Sequence, residues 1–185
     1  RQLWAALGRP AASIGTLGIK GPERADPLVH TTPDPITLHR ALGDLRRAGV
    51  DCVAIEASSH GLDQRRLDAV RLAAAAFTNL SRDHMDYHAS AEDYLAAKLR
   101  LFTAVLPPGG AAVVNADSDR AEAVIAAATK RGQKVLTYGR KGREFRLLDV
   151  RAHAKGLAVS ADILGGQKKI ELPLAWPGIV TGMVL

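Results

Sequence analysis

Four stretches of this 185-residue chain carry side chains suited to chemistry. Glu56 opens the polar run Glu56-Ala57-Ser58-Ser59-His60-Gly61, directly after an apolar stretch. A carboxylate in that place is either a cap or turn group or a ligand for a hard cation, because buried Glu is rare unless paired. Gln64, Arg65 and Arg66 follow, and their amide and forked guanidinium donors suit a carboxylate or a phosphate. His84 and His88 stand four apart, a spacing that ligates zinc when it falls on a helix. The flanking residues are turn formers and the glutamate of an H-E-x-x-H motif is absent, so a structural histidine beside a carboxylate is the commoner reading. Lys98, within Ala96-Ala97-Lys98-Leu99-Arg100, is either a snorkelling surface lysine or one that faces a site among small residues. Thr31-Thr32-Pro33-Asp34-Pro35 reads locally as an N-capping turn.

The elements that would position these groups alternate. Residues 36–48 place Ile36, Leu38, Leu42 and Leu45 at helical spacing, and Gly49 stops the run. Val50 to Ile55 reads as a buried strand ending at Glu56, and Ala73 to Leu80 as a second apolar run ending in polar residues. Ala73–Ala76 is expected to be close-packed strand core. Ser90 is the expected N-cap of a helix through Phe102, with Asp93 three residues on as an acidic capping box. After Pro107-Pro108-Gly109-Gly110 the pattern repeats: strand 111–114, helix 118–129, strand 134–138. This alternation predicts an α/β fold, a mostly parallel sheet with helices on both faces. From residue 144 the texture changes to short strands at 145–150, 157–163 and 169–172, which predicts a small antiparallel β appendage. The expected organisation is therefore one incomplete domain: an α/β core over 1–143, hairpins over 144–174 and a tail over 175–185. In such a sheet, ligands collect at the carboxyl ends of the strands. Both rich polar clusters fall there.

Composition narrows the classes. Apolar types are 47% and charged types 24%, which excludes a disordered tail or a collagen-like fibre. Cys52 is the single cysteine and fits a reducing, cytoplasmic setting. No apolar run reaches the ~20 residues needed to cross a bilayer, and Arg1–Leu7 does not read as a signal peptide but as a helix cut open. A net charge of +6 and a pI near 9.8 permit an anionic partner. The basic residues are scattered and without interleaved aromatics, which argues against nucleic acid and for a small anionic substrate.

Taken in order, the strings T-T-P-D-P (31–35), E-A-S-S-H-G-L-D-Q-R-R (56–66), F-T-N-L-S-R-D-H-M-D-Y-H (77–88) and Y-L-A-A-K-L-R-L-F (94–102) are more specific than any one of them. Over residues 1 to about 173 the chain resembles the central, ATP-binding domain of the Mur ligases. It is most similar to the branch that adds the third residue to UDP-N-acetylmuramoyl-L-alanyl-D-glutamate in peptidoglycan synthesis. The resemblance implies an ATP-dependent ligase that activates the γ-carboxylate of D-glutamate as an acyl phosphate, which the amine of meso-diaminopimelate or L-lysine then attacks. It implies Mg²⁺ held by Glu56 and His84, and a carbamylated Lys98 formed with carbon dioxide. It implies that Thr31, Thr32, Ser58, Gln64 and Arg66 bind the UDP-muramoyl-dipeptide.

Departures from the family pattern shape a further expectation. No G-x-x-x-x-G-K-T phosphate loop occurs in these 185 residues, nor a D-N-P-R motif. His30 stands where Asn often precedes the Thr pair, and 176–185 do not resemble the usual continuation. A truncated or frame-shifted reading frame would account for both ends, and the isolated chain is then expected to be inactive. Two rival readings are a non-catalytic module that only binds the anionic precursor, and a folylpolyglutamate-synthetase-like ligase. The strings at 58–66 and 83–88 speak against the latter.

Overall fold

A computed structural model describes residues 1–80 and 87–173. The architecture is mixed α/β, with two sheets flanked by helices. Two compact units divide it: residues 1–70 with 87–105, and residues 71–80 with 106–173.

The first unit begins with helix α1 (Gln2–Ala6), which buries no residue and has no side-chain cap. Strands β1 (Ala11–Gly15), β2 (Gly18–Gly21) and β3 (Arg24–Asp26) form an antiparallel meander. Helix α2 (Pro35–Arg47) then crosses to strand β4 (Cys52–Ile55), which pairs parallel with β1, so the order is β3-β2-β1-β4. Asp34 caps α2 by accepting from the Ile36 and Thr37 amides at 3.0 Å each, and Pro35 sits where a missing N–H costs nothing. Hydrogen bonds from Thr37, foremost its side chain and then its amide, hold the Asp34 carboxyl below its usual range. Leu38, Ala41 and Leu45 bury one face of this helix. A five-residue helix α3 (Ser59–Asp63) follows β4, and α4 (Ala91–Arg100) packs against α3.

The second unit carries a six-stranded sheet in the order β10-β9-β8-β7-β6-β5. Strands β5 (Ala74–Phe77), β6 (Ala111–Asn115), β7 (Lys134–Gly139) and the start of β8 (Phe145–His153) are parallel. Helix α5 (Ala121–Lys130) is the crossover from β6 to β7. Strands β8, β9 (Gly156–Ile163) and β10 (Gly166–Leu172) are antiparallel, with an irregularity in β8 between Leu147 and Asp149. Leu147, Leu157 and Val159 form the hairpin core, with Val150 and Leu172 against it. Among the described residues no helix is long and apolar enough to cross a membrane.

The expected α/β class, the crossover helices and the hairpins all stand. Five details differ. The hairpins are not appended but continue the parallel sheet, since Tyr138 pairs with Phe145 and Gly139 with Arg146. Antiparallel pairing also occurs early, in β1–β3, a stretch without a local strand signal. Ala74 and Ala76 are exposed and only Ala75 of that run is buried, because alternation along β5 turns Ala74 and Ala76 to the uncovered face of the strand. In α4, Ser90 Oγ accepts from the Asp93 amide at 3.0 Å as a cap should, but the Asp93 carboxylate returns to the Ser90 hydroxyl at 2.8 Å. The expected continuation to Phe102 is a π-type turn, Leu101–Val105. The tail over 175–185 lies outside the described residues.

Candidate functional site

The site is built where β4 ends. Glu56 continues from β4, its amide bonded to the Ile14 carbonyl at 2.8 Å. Its side chain is exposed rather than buried as the sequence suggested, and it is held from one side only. Glu56 Oε2 accepts from the Thr16 amide and from the Thr16 hydroxyl, both at 3.0 Å. The Thr16 hydroxyl lies 3.0 Å from that of Thr31. Since Thr16 spends its proton on Glu56, Thr31 donates to Thr16, and a relay runs Thr31, Thr16, Glu56. A Cβ on Gly15 would lie 2.6 Å from Glu56 Oε2, so glycine there makes room for the carboxylate.

Thr32, fully buried, is the hub beneath. Its hydroxyl donates to the Glu56 carbonyl at 2.7 Å and accepts from the Ser58 amide at 2.9 Å and the Ser58 hydroxyl at 3.1 Å. That uses its one proton and both lone pairs. Ser58 Oγ in turn caps α3 by accepting from the Gly61 amide at 3.1 Å. Gly61 is required by closeness, since a Cβ there would lie 2.6 Å from Thr32 Cβ.

Arg65, at φ 57°, takes the left-handed turn that ends α3, and Arg66 folds back over the loop. Arg66 Nη1 donates to the Thr32 carbonyl at 2.6 Å, and Nε and Nη2 both donate to Gln64 Oε1, at 3.1 and 2.6 Å. A guanidinium carries five N–H groups, so two remain for an anion. Gln64 Nε2 donates to the Tyr87 hydroxyl at 3.2 Å, which donates to Asp63 Oδ2 at 2.8 Å.

The structure therefore brings Thr31, Thr32, Glu56, Ser58, Gln64 and Arg66 into one connected network. Thr16, Asp63 and Tyr87 belong to it and were missed as candidates. Asp63 and Tyr87 sat inside strings already singled out, whereas Thr16 carried no local signal.

Lys98 stands on α4, half-buried, its ammonium 5.1 Å from the centre of the Tyr94 ring. Arg100, two residues further along the same helix, donates to the Leu62 carbonyl at 2.8 Å and to both Asp68 oxygens at 3.0 and 3.2 Å, tying α4 to α3. His84 lies outside the described residues. Among the described residues no three His, Cys, Asp or Glu side chains converge as a metal cluster. One exposed carboxylate with a lone oxygen outside its own network still fits Mg²⁺, which is commonly held by one or two carboxylates together with substrate phosphates. An open cleft of about 520 Å³ adjoins, lined by Asp63, Tyr87, His88, Asp93 and Arg100 among others.

Comparison with known proteins places the chain in a family. A family model described as the Mur ligase middle domain matches residues 1–178. A UDP-N-acetylmuramoyl-L-alanyl-D-glutamate--2,6-diaminopimelate ligase of Brucella melitensis is 54% identical over 95% of this chain and 36% of its own length. The enzyme of the same name from Bradyrhizobium diazoefficiens is 50% identical over 95% of this chain and 37% of its length. A solved structure with that enzyme name superposes with a TM-score of 0.87 at 32% identity, covering 99% of this chain and 37% of that one. Folylpolyglutamate synthetase of L. casei shares the fold, with a TM-score of 0.69 at 18% identity. The chain thus spans about a third of the length of the curated relatives it matches.

Proposed function

The chain belongs to the Mur ligase family through its middle domain, and from that premise we propose that it is the central segment of an ATP-dependent acid–amino-acid ligase. The reaction read here adds a third residue to UDP-N-acetylmuramoyl-L-alanyl-D-glutamate during peptidoglycan synthesis, in the cytoplasm. Meso-diaminopimelate is the favoured amino acid over L-lysine, because the relatives carry it in their names. We keep the core over 1–143 and the hairpins over 144–174 as parts of that one segment.

The observation that carries this reading is the network at the end of β4. It leaves outward-facing valences of the chemistry an anionic precursor needs. Arg66 retains two N–H donors and Gln64 one, and these bind and orient phosphate or carboxylate oxygens; Thr31, its proton spent on Thr16, offers the precursor an acceptor for one of its own N–H or O–H groups. Thr32 and Ser58 spend their hydroxyls within the protein and so act as positioning residues. Thr32 fixes the Glu56 backbone, and Ser58 starts α3 so that Gln64 and Arg66 reach the rim. Glu56, with His84 and a carbamylated Lys98, would hold Mg²⁺. When bound, the ion neutralises phosphate charge and aligns the acceptor carboxylate. The Glu56 Oε1 atom is the one kept clear for it, since Thr16 occupies Oε2.

Two assays test the reading. The first grafts residues 1–173 into the Brucella melitensis relative in place of its own middle segment. The hybrid should incorporate labelled diaminopimelate into the UDP-muramoyl-dipeptide in an ATP-dependent manner, and a well-folded but inert hybrid would refute the assignment. The second uses the 185-residue chain alone, which should release no phosphate from ATP. Phosphoryl transfer rests on positioning and charge neutralisation, where a single arginine finger contributes roughly 10³–10⁵ in rate. Turnover near that of the hybrid would show that the phosphate loop is dispensable.

A further inference from the structure

The last rung of the parallel ladder between β1 and β4 is made by a side chain. The register pairs Ile14 with Ile55, and the Glu56 amide donates to the Ile14 carbonyl at 2.8 Å. In a parallel pair the next bond would run from the Thr16 amide to the Glu56 carbonyl. That carbonyl accepts from the Thr32 hydroxyl instead, and the Thr16 amide goes to the Glu56 carboxylate. Thr16 opens the two-residue turn between Gly15 and Gly18, which pair across the β1–β2 hairpin, and its hydroxyl reaches the same carboxylate. Oε2 thereby receives two bonds of 3.0 Å from one residue, which fill both lone-pair directions of a carboxylate oxygen. Thr31 holds that hydroxyl from behind, at 3.0 Å. Thr16 and Glu56 are both exposed, so core packing does not account for a long side chain held this firmly.

We propose that Thr16 is a positioning residue that selects the cation at Glu56, favouring Mg²⁺ over Ca²⁺. This rests on the reading of Glu56 as a Mg²⁺ ligand. With Oε2 saturated, Glu56 offers a cation Oε1 alone. Mg²⁺ loses nothing by that. Its octahedron of oxygens at about 2.0–2.1 Å has right angles that the narrow span of one carboxylate cannot fill with both oxygens. Ca²⁺ takes about six to eight oxygens at roughly 2.3–2.6 Å in flexible geometry, and a carboxylate that gives it two is a favoured ligand. At this site it must forgo the second oxygen or displace the two hydrogen bonds from Thr16.

The test is Mn²⁺ binding to the 185-residue chain, followed by electron paramagnetic resonance, with Mg²⁺ and Ca²⁺ as competitors in turn. Only the Mn²⁺ that Glu56→Gln releases is counted. Thr16→Val, which keeps the shape and exchanges the hydroxyl for a methyl, should raise the ratio of Ca²⁺ to Mg²⁺ affinity about tenfold, the lower end of what outer-shell partners of metal ligands are worth. Thr16→Ser should keep the wild-type ratio. A role confined to shaping the turn would move both affinities together. An unchanged ratio in Thr16→Val would therefore overturn the proposal while leaving Glu56 a ligand. Infrared difference spectra give a measurement that needs no Thr16 variant. The carboxylate bands that vanish in Glu56→Gln should keep the wide separation of one-oxygen binding when the wild-type chain is saturated with Ca²⁺. A narrowed separation there would overturn the proposal as well. Mn²⁺ binding that is absent, or that Glu56→Gln leaves unchanged, would remove the reading of Glu56 as a ligand and this inference with it.

Discussion

The two units end their parallel strands in polar side chains, and they use them differently. In the second unit the groups that are bonded among the described residues close mainly on nearby backbone. Asn115, at the end of β6, donates to the Thr78 carbonyl at 2.8 Å and accepts from the Asp117 amide at 2.9 Å. Asp117 takes the Arg140 and Lys141 amides, at 2.7 and 2.8 Å, one on each oxygen. Glu144 is braced through Oε2 as Glu56 is, by the Thr137 amide and hydroxyl at 2.7 and 2.8 Å, but it is half-buried and its Oε1 already faces Arg143 Nη2 at 3.8 Å; Thr137 in turn accepts from the Arg143 amide. In the first unit the bonds run mainly from side chain to side chain, and valences are left over at Glu56 Oε1, Arg66 and Thr31. A carboxylate closed on amides, or one that already faces its own cation, shapes a loop. One that is exposed, braced from a single side and without a cation beside its other oxygen is prepared for a ligand.

That contrast is broken or sharpened by substitution. The largest effect is expected at the open groups. In the hybrid ligase, Glu56→Gln should cut diaminopimelate incorporation on the order of 10²–10³-fold, by removing charge opposite developing phosphate charge. Unfolding midpoints should barely move. Lys98→Ala should likewise abolish ligation, and a short carboxylic acid should partly restore it by standing in for the carbamate.

Next comes Thr32→Val, which tests whether a first-unit group can behave as a closed one. It leaves the Glu56 carbonyl and the Ser58 amide without their partner, at a cost of about 2–4 kcal/mol in urea unfolding. If the variant keeps full stability and loses only dipeptide binding, Thr32 is a ligand contact and the distinction drawn between hub and rim fails. Asp117→Ala should cost less, about 1–3 kcal/mol, and leave dipeptide affinity measured by calorimetry unchanged.

The smallest effects are in pH dependence, again in the second unit. Hydrogen bonds from Thr137, foremost its amide, hold the Glu144 carboxyl below its usual range. The folded state therefore binds that proton less readily than the unfolded chain. Its contribution is present above the ordinary carboxylate range and is lost as pH falls through the lowered value. Burial, and then the Asp117 charge, push the Tyr138 phenol up to about 12 from 10. Here the folded state keeps its proton longer, so the contribution is complete below pH 10 and is lost as pH climbs toward 12. Urea midpoints followed across pH should show both declines. Glu144→Gln should flatten the acid arm and Tyr138→Phe the alkaline one.

Much of the frame was legible locally. The α2 period, its Asp34-Pro35 start, the α5 crossover and the β8–β10 hairpins follow from patterns within ten or twenty residues, because capping, helical faces and tight turns are local physics. The early meander was not legible. Ala11–Gly15 and Gly18–Gly21 are short and bounded by glycine, without the β-branched alternation that marks a strand, and they are strands only because they pair with each other and with β4. The exposed face of β5 is decided equally far from its own sequence: Ala74 is core or surface according to what packs on that face of the sheet, and it is exposed among the described residues.

For the site, the sequence by itself determined the cast: a carboxylate at a strand end, a threonine pair, a glutamine and arginine after a serine cap, and a lysine on an alanine-rich helix. Their order was specific enough to name a family. Only the tertiary structure decided the parts they play. It recruited Thr16, forty residues from Glu56, closed the Thr32 hydroxyl completely, left Arg66 two donors, and set the Lys98 ammonium on Tyr94. A side chain's chemical type is fixed by its covalent structure and can be read from one letter. Which of its valences remain free depends on the atoms that folding brings to within about 3 Å, and most of those come from distant parts of the chain.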